Sequence, residues 1–161
     1  MTKHHIRFTS ILSVFIALLL SCGSKTITKS EISFDDHVWK KNPLPEIVLD
    51  VQSNNKPWQL KLWIRFNANL PIAAIPVRIY EIAPDGSEVS IDREIKLRDS
   101  KGELLGDKGL DIVDLEVILD EQRSYPAFGK YRYRFEHRVE TIEDLPGIMD
   151  IGLSLIDVKP S

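Results

Sequence analysis

The chain has 161 residues with 21 basic and 24 acidic side chains, a net charge of −3, and a single cysteine. A mildly acidic balance argues against nucleic acid as a partner and against a polybasic grip on anionic lipid. One cysteine excludes a disulfide within the chain, so stability must come from burial and backbone hydrogen bonds.

The first element is a secretory signal. Lys3, His4, His5 and Arg7 precede an apolar run from Ile11 to Leu20, and Ser21-Cys22 follows. The run is too short to span a bilayer, which needs about 20 apolar residues. Leu19 three positions before Cys22 and a small residue directly before it give the pattern of a bacterial lipoprotein signal. Residues 1–21 are therefore expected to be removed and Cys22 to be lipidated. Acyl chains there, at about 0.8 kcal/mol per buried methylene, would anchor the protein without a transmembrane helix. Residues 22–31, small and polar, read as a flexible tether. Residues 32–161 read as a single domain.

Ile32 to Lys41 is a first short strand, and Pro43 and Pro45 force a loop. From Glu46 the chain alternates, with Ile47, Leu49 and Val51 on one face. Trp58 to Asn67 alternates over ten residues, Trp58, Leu60, Leu62, Ile64 and Phe66 against Gln59, Lys61, Trp63, Arg65 and Asn67. A helix cannot bury such a pattern on one side. Ile75 to Ile82 and Val89 to Leu97 flank Pro84-Asp85-Gly86 and should pair as a hairpin. Val89, Ile91, Ile95 and Leu97 form the apolar face of the second strand, interrupted by Arg93 at its rim. Arg98 to Asp111 holds Gly102, Gly106 and Gly109 and is an irregular loop. Ile112 to Leu119, Lys130 to Val139 and Asp150 to Val158 resume strand character. About eight strands, no sustained helical period after the signal, and turns between them predict an all-β fold, an antiparallel β-sandwich of jelly-roll or Ig-like type.

Few residues suggest chemistry. His137 lies on the apolar face of its strand and reads as a core or rim histidine rather than a base. No Gly-x-Ser-x-Gly or phosphate-cradling motif occurs, so an enzyme is not expected. Asp107, Asp111 and Asp114 could offer oxygens to a cation but lack the alternation of an EF-hand loop, and no metal or other cofactor is expected. Trp63 shares an outward face with Lys61 and Arg65 and is a candidate for stacking on a sugar, or else is covered by a strand or by the tether. Lys130, Arg132, Arg134 and Arg138 form a basic stripe, a candidate docking surface for an acidic partner or a solvated face.

Three stretches carry a family resemblance: Asp99-Ser100-Lys101-Gly102-Glu103-Leu104-Leu105-Gly106 running into Gly109-Leu110-Asp111-Ile112; Pro126-Ala127-Phe128-Gly129-Lys130-Tyr131; and Leu145-Pro146-Gly147-Ile148-Met149-Asp150-Ile151-Gly152-Leu153. With the lipoprotein start, they make the chain resemble the gliding motility lipoprotein GldH family of Bacteroidota. The family often has a tryptophan where Leu104 or Leu105 stands here. The resemblance implies an outer-membrane lipoprotein facing the periplasm, a non-enzymatic accessory component of gliding motility and type 9 secretion-linked envelope machinery. It implies partners among other envelope proteins and no small-molecule substrate. Gly23-Ser24-Lys25 lacks acids after the cysteine, which favours the periplasmic side. The glycine loop, with Gly102, Leu104, Leu105, Gly106, Gly109 and Asp111, is the expected partner contact, with Leu105 exposed at its tip. A glycan-binding envelope lipoprotein using Trp63 is the rival reading.

Overall fold

A computed structural model describes residues 26–52 and 56–157. The signal peptide, Cys22 and residues 23–25 lie outside the described residues. Eleven strands form among those described: β1 (Thr26–Ser33), β2 (Val38–Lys40), β3 (Glu46–Val51), β4 (Trp58–Asn67), β5 (Ala74–Ile82), β6 (Glu88–Lys96), β7 (Asp107–Lys108), β8 (Ile112–Arg123), β9 (Gly129–His137), β10 (Asp144–Pro146) and β11 (Ile148–Asp157). Three very short strands, β2, β7 and β10, account for the excess over the expected eight. A 3-10 turn at Asp35–His37 is the one helical element among the described residues.

The strands make two antiparallel sheets packed face to face, as the alternation predicts. One sheet has the order β1-β11-β4-β8-β7 and the other β3-β9-β5-β6, while β2 and β10 pair separately. Strand β4 buries every second residue, with Leu62, Ile64 and Phe66 fully enclosed. Tyr131, Tyr133 and Phe135 of β9 meet them from the other sheet. Between the sheets the Arg123 guanidinium pairs with Glu81. Beside that pair the Tyr125 and Tyr133 hydroxyls share a hydrogen bond of 2.8 Å. Burial keeps both phenols neutral, pushing Tyr125 up to about 12 and Tyr133 further.

Three expectations change. The single strand expected over Ile32 to Lys41 is broken by the 3-10 turn at Asp35–His37, with β1 ending before it and β2 starting after it. Residues 26–31, read as tether, run within β1, which pairs with β11 from Thr28↔Leu155 to Ser33↔Asp150. Their polar sequence suits an edge strand, held by backbone hydrogen bonds more than by apolar burial. The apolar face expected for β6 is buried only at its end: Ile95 and Leu97 are enclosed, whereas Val89 and Ile91 are 61% and 45% exposed. β6 is the edge of its sheet. With Leu60, Ile79 and Leu119 its side chains line an open groove of about 290 Å³, and Arg93 sits at the rim as expected.

The sandwich has two distinct ends. At the first lie Thr26, the β5–β6 turn, the β8–β9 loop and Asp157. At the second lie the 3-10 turn, β2, β10 and the glycine loop between β6 and β8.

Candidate functional site

The glycine loop is a fixed structure. Asp99 begins it with a side-chain turn: its carboxylate accepts from the Lys101 and Glu103 amides at 2.8 and 2.9 Å. The Arg98 guanidinium donates to the Gly102 carbonyl at 3.1 Å and to the Ala68 and Leu70 carbonyls at 3.2 Å, tying the loop to the β4–β5 turn. Leu105 N–H donates to the Leu97 carbonyl at 2.8 Å, and Ala68 N–H to that of Asp111 at 2.9 Å. Gly106 has φ of +96° and lies against the Asp114 backbone, where a Cβ would come 2.4 Å from the carbonyl oxygen. This contact lets β7 pair with β8.

Leu104 and Leu105 are half-buried and pack on the core. The expectation of Leu105 at the loop tip is therefore corrected: its amide bonds back to Leu97 and its side chain is drawn inward. Leu110, between Gly109 and Asp111, is the exposed one, at 100%. No clear signal for this stood in the sequence, since Ile112 two positions on continues an alternating apolar pattern from Leu110.

Trp63 and this loop come together. Trp63, Lys29, Arg65, Leu105, Gly106 and Asp107 line a shallow basin on the outer face of the five-stranded sheet. The indole lies over Gly152, with Lys29 Nζ 4.6 Å from its centroid and the Arg65 guanidinium carbon at 5.9 Å. Lys29 belongs to the stretch expected as tether, so the covering strand is β1. A sugar stacking on this ring would have to displace Lys29.

Asp114 is engaged by Arg65 through two bonds of 2.8 and 2.9 Å, which hold its carboxyl below the usual carboxylate range. Among the described residues no group of three or more His, Cys, Asp or Glu could hold a metal ion.

The basic stripe lies on β9, an interior strand of its sheet, with Arg138 just past its end. Acids answer most of it: Glu46 of the adjacent β3 pairs with Arg132 at 3.7 Å, Glu88 of β6, two strands away, with Arg134 at 2.5 Å, and Glu136 of β9 itself with Arg138 at 3.6 Å. Asp50 stands opposite Lys130 in the register. The face is one of mixed sign.

His137 is fully enclosed and meets Trp39 edge-on at 5.7 Å. Burial, with Lys41 nearby, lowers its pKa below the ordinary imidazole value, while the backbone of Glu143 and Trp39 pulls weakly the other way. The unfolded chain therefore binds this proton more readily than the folded one. We expect urea stability to fall as pH drops below about 6.5, and the drop to be reduced in His137→Phe. An unchanged pH profile in that variant would assign the acid sensitivity elsewhere.

The model for the GldH lipoprotein family matches residues 26–155. No curated protein matches the chain in sequence. Among solved structures, dimeric latent PorU from Porphyromonas gingivalis is similar over 85% of this chain and 14% of its own, at 6% identity and a TM-score of 0.36. The Yersinia pseudotuberculosis-derived mitogen is similar over 83% of this chain and 89% of its own, at 7% identity and a TM-score of 0.33. An exo-β-1,3-galactanase from Phanerochaete chrysosporium is similar over 83% and 29%, at 12% identity and a TM-score of 0.32. Likenesses this distant carry no functional weight.

Proposed function

This chain belongs to the GldH lipoprotein family, and we propose that it acts as a lipid-anchored, non-enzymatic accessory component of gliding motility and type 9 secretion-linked envelope machinery. The anchor in this reading is Cys22, and the location is the outer membrane, facing the periplasm. The observation that supports a contact role is Leu110, fully exposed on a loop held by Arg98, Asp99 and the Gly106 seat. An apolar side chain on a rigid scaffold loses little conformational freedom when a partner covers it. Gly102, Leu104, Leu105, Gly106, Gly109 and Asp111 then serve the contact indirectly, by fixing the loop that presents Leu110.

Two experiments test this reading. Cys22→Ala should block lipid attachment and move the protein out of the membrane fraction. Sedimentation with membranes after a high-salt wash would refute the anchor. Leu110→Asp should leave urea stability within about 0.5 kcal/mol of the native protein, since the side chain touches nothing it could lose. The same variant should lower recovery of envelope partners in pull-downs from membranes by tenfold or more, and should fail to complement a deletion strain. Full recovery and complementation would remove this loop from the contact.

A further inference from the structure

The β8–β9 loop carries a second exposed apolar side chain. Phe128 is 72% exposed, whereas its neighbours Tyr125 and Tyr131 are 1% exposed. The loop is fixed from beneath. Tyr125 and Tyr131 meet edge-on at 4.6 Å, and the Tyr131 hydroxyl donates to the Ala127 carbonyl at 3.0 Å. Phe128 is thus held out into solvent by a buried aromatic base. It precedes Gly129, which pairs with Val51 at the last position of β3, and so belongs to the same end of the sandwich as Thr26.

We propose that Phe128 is a membrane contact that sets the domain end-on to the bilayer, with the glycine loop pointing away. The inference rests on lipidation of Cys22. From Cys22 to Thr26, where β1 begins, the chain can reach only about 14 Å when fully extended. That length is shorter than the interfacial and headgroup layers plus the domain radius, so this end of the sandwich is held close to the lipid. Aromatic rings favour that layer. Three ion pairs lie at this end, Lys56 with Asp157 at 2.5 Å, Glu88 with Arg134 at 2.5 Å, and Glu81 with Arg123, while Asp85 of the β5–β6 turn accepts from Ser87. The opposite end, more than the length of a strand away, carries Leu110.

With Cys22 acylated, an introduced cysteine is the sole thiol, so an environment-sensitive fluorophore can be placed at one site. The full-length lipoprotein would be reconstituted in phosphatidylethanolamine/phosphatidylglycerol vesicles containing nitroxide-labelled lipid. Three variants are compared: Ala127→Cys, Ala127→Cys with Phe128→Ser, and Leu110→Cys. The label at 127 should be quenched at least threefold more than that at 110, and Phe128→Ser should cut the quenching at 127 by half or more. Equal quenching at 127 and 110, or quenching at 127 indifferent to Phe128, overturns the proposal. Vesicle flotation separates the two readings: protein that floats but shows either of those patterns keeps its anchor and loses this orientation, whereas protein that fails to float loses both.

Discussion

Gly106→Ala should destabilise the domain by about 3 kcal/mol or more, against about 1 kcal/mol for Gly102→Ala. Both glycines sit in the left-handed region, at φ of +96° and +84°, so each alanine bears a similar backbone strain. They differ in what the added methyl meets. Around Gly102 there is nothing within 4 Å, whereas at Gly106 the Cβ would stand 2.4 Å from the Asp114 oxygen and 3.1 Å from Leu115 Cα. Those are backbone atoms of β8, a strand that pairs with β4 over its length, so they cannot swing aside as a side chain would. Relief requires lifting the loop and breaking the Asp107↔Asp114 and Lys108↔Val113 pairing. Urea unfolding of both variants, with equal denaturant slopes, reads the difference. A Gly106→Ala protein no weaker than Gly102→Ala would mean that the loop does not rest on β8. Because the same seat holds Leu110 in place, Gly106→Ala should also impair partner recovery while Gly102→Ala largely preserves it.

The contrast between these two glycines marks how far the sequence could be read. Strict alternation placed β4 at Trp58–Asn67, and its strand over Lys130 to Val139 overlaps β9 at Gly129–His137, because a period of two leaves one solution for a half-buried strand. The hairpin through Asp85-Gly86 followed from turn chemistry, and Val77↔Arg93 and Ile79↔Ile91 confirm its pairing. Local pattern failed where the decisive neighbour is distant in sequence. β1 lacks an apolar face of its own and becomes a strand because β11 offers an edge. Val89 and Ile91 alternate correctly yet stay exposed, because burial depends on what the opposite sheet covers. The three cations of β9 and Arg138 just past it looked like a stripe because Glu46 and Glu88, which answer Arg132 and Arg134, arrive on other strands. In the candidate site the glycines were visible, but their separate tasks were not, since only the approach of Asp114 distinguishes Gly106 from Gly102.

The outer face around Trp63 supplies the other large effect, one that changes sign with background. Gly152 lies between Glu31 of β1 and Trp63 of β4 in the sheet, and a Cβ there would fall 1.9 Å from the indole Nε1. Gly152→Ala should therefore cost about 2–3 kcal/mol, since the ring must leave its seat and give up its packing and the Lys29 contact. The expelled indole should also show in a red-shifted tryptophan emission. Removing the ring first removes the conflict. In a Trp63→Ala background the alanine at 152 meets no indole, and glycine inside a strand is the poorer residue by roughly 0.5–1 kcal/mol. There Gly152→Ala should stabilise slightly. The coupling across the cycle is then on the order of 2–4 kcal/mol, well beyond what independent sites show. Urea unfolding of the four proteins measures it. Additive effects would place the indole away from Gly152 and leave a face free for a planar ligand. The predicted reversal would mean that this tryptophan is spent on joining β1 to the sheet, with the glycine opposite it shaped to receive the ring.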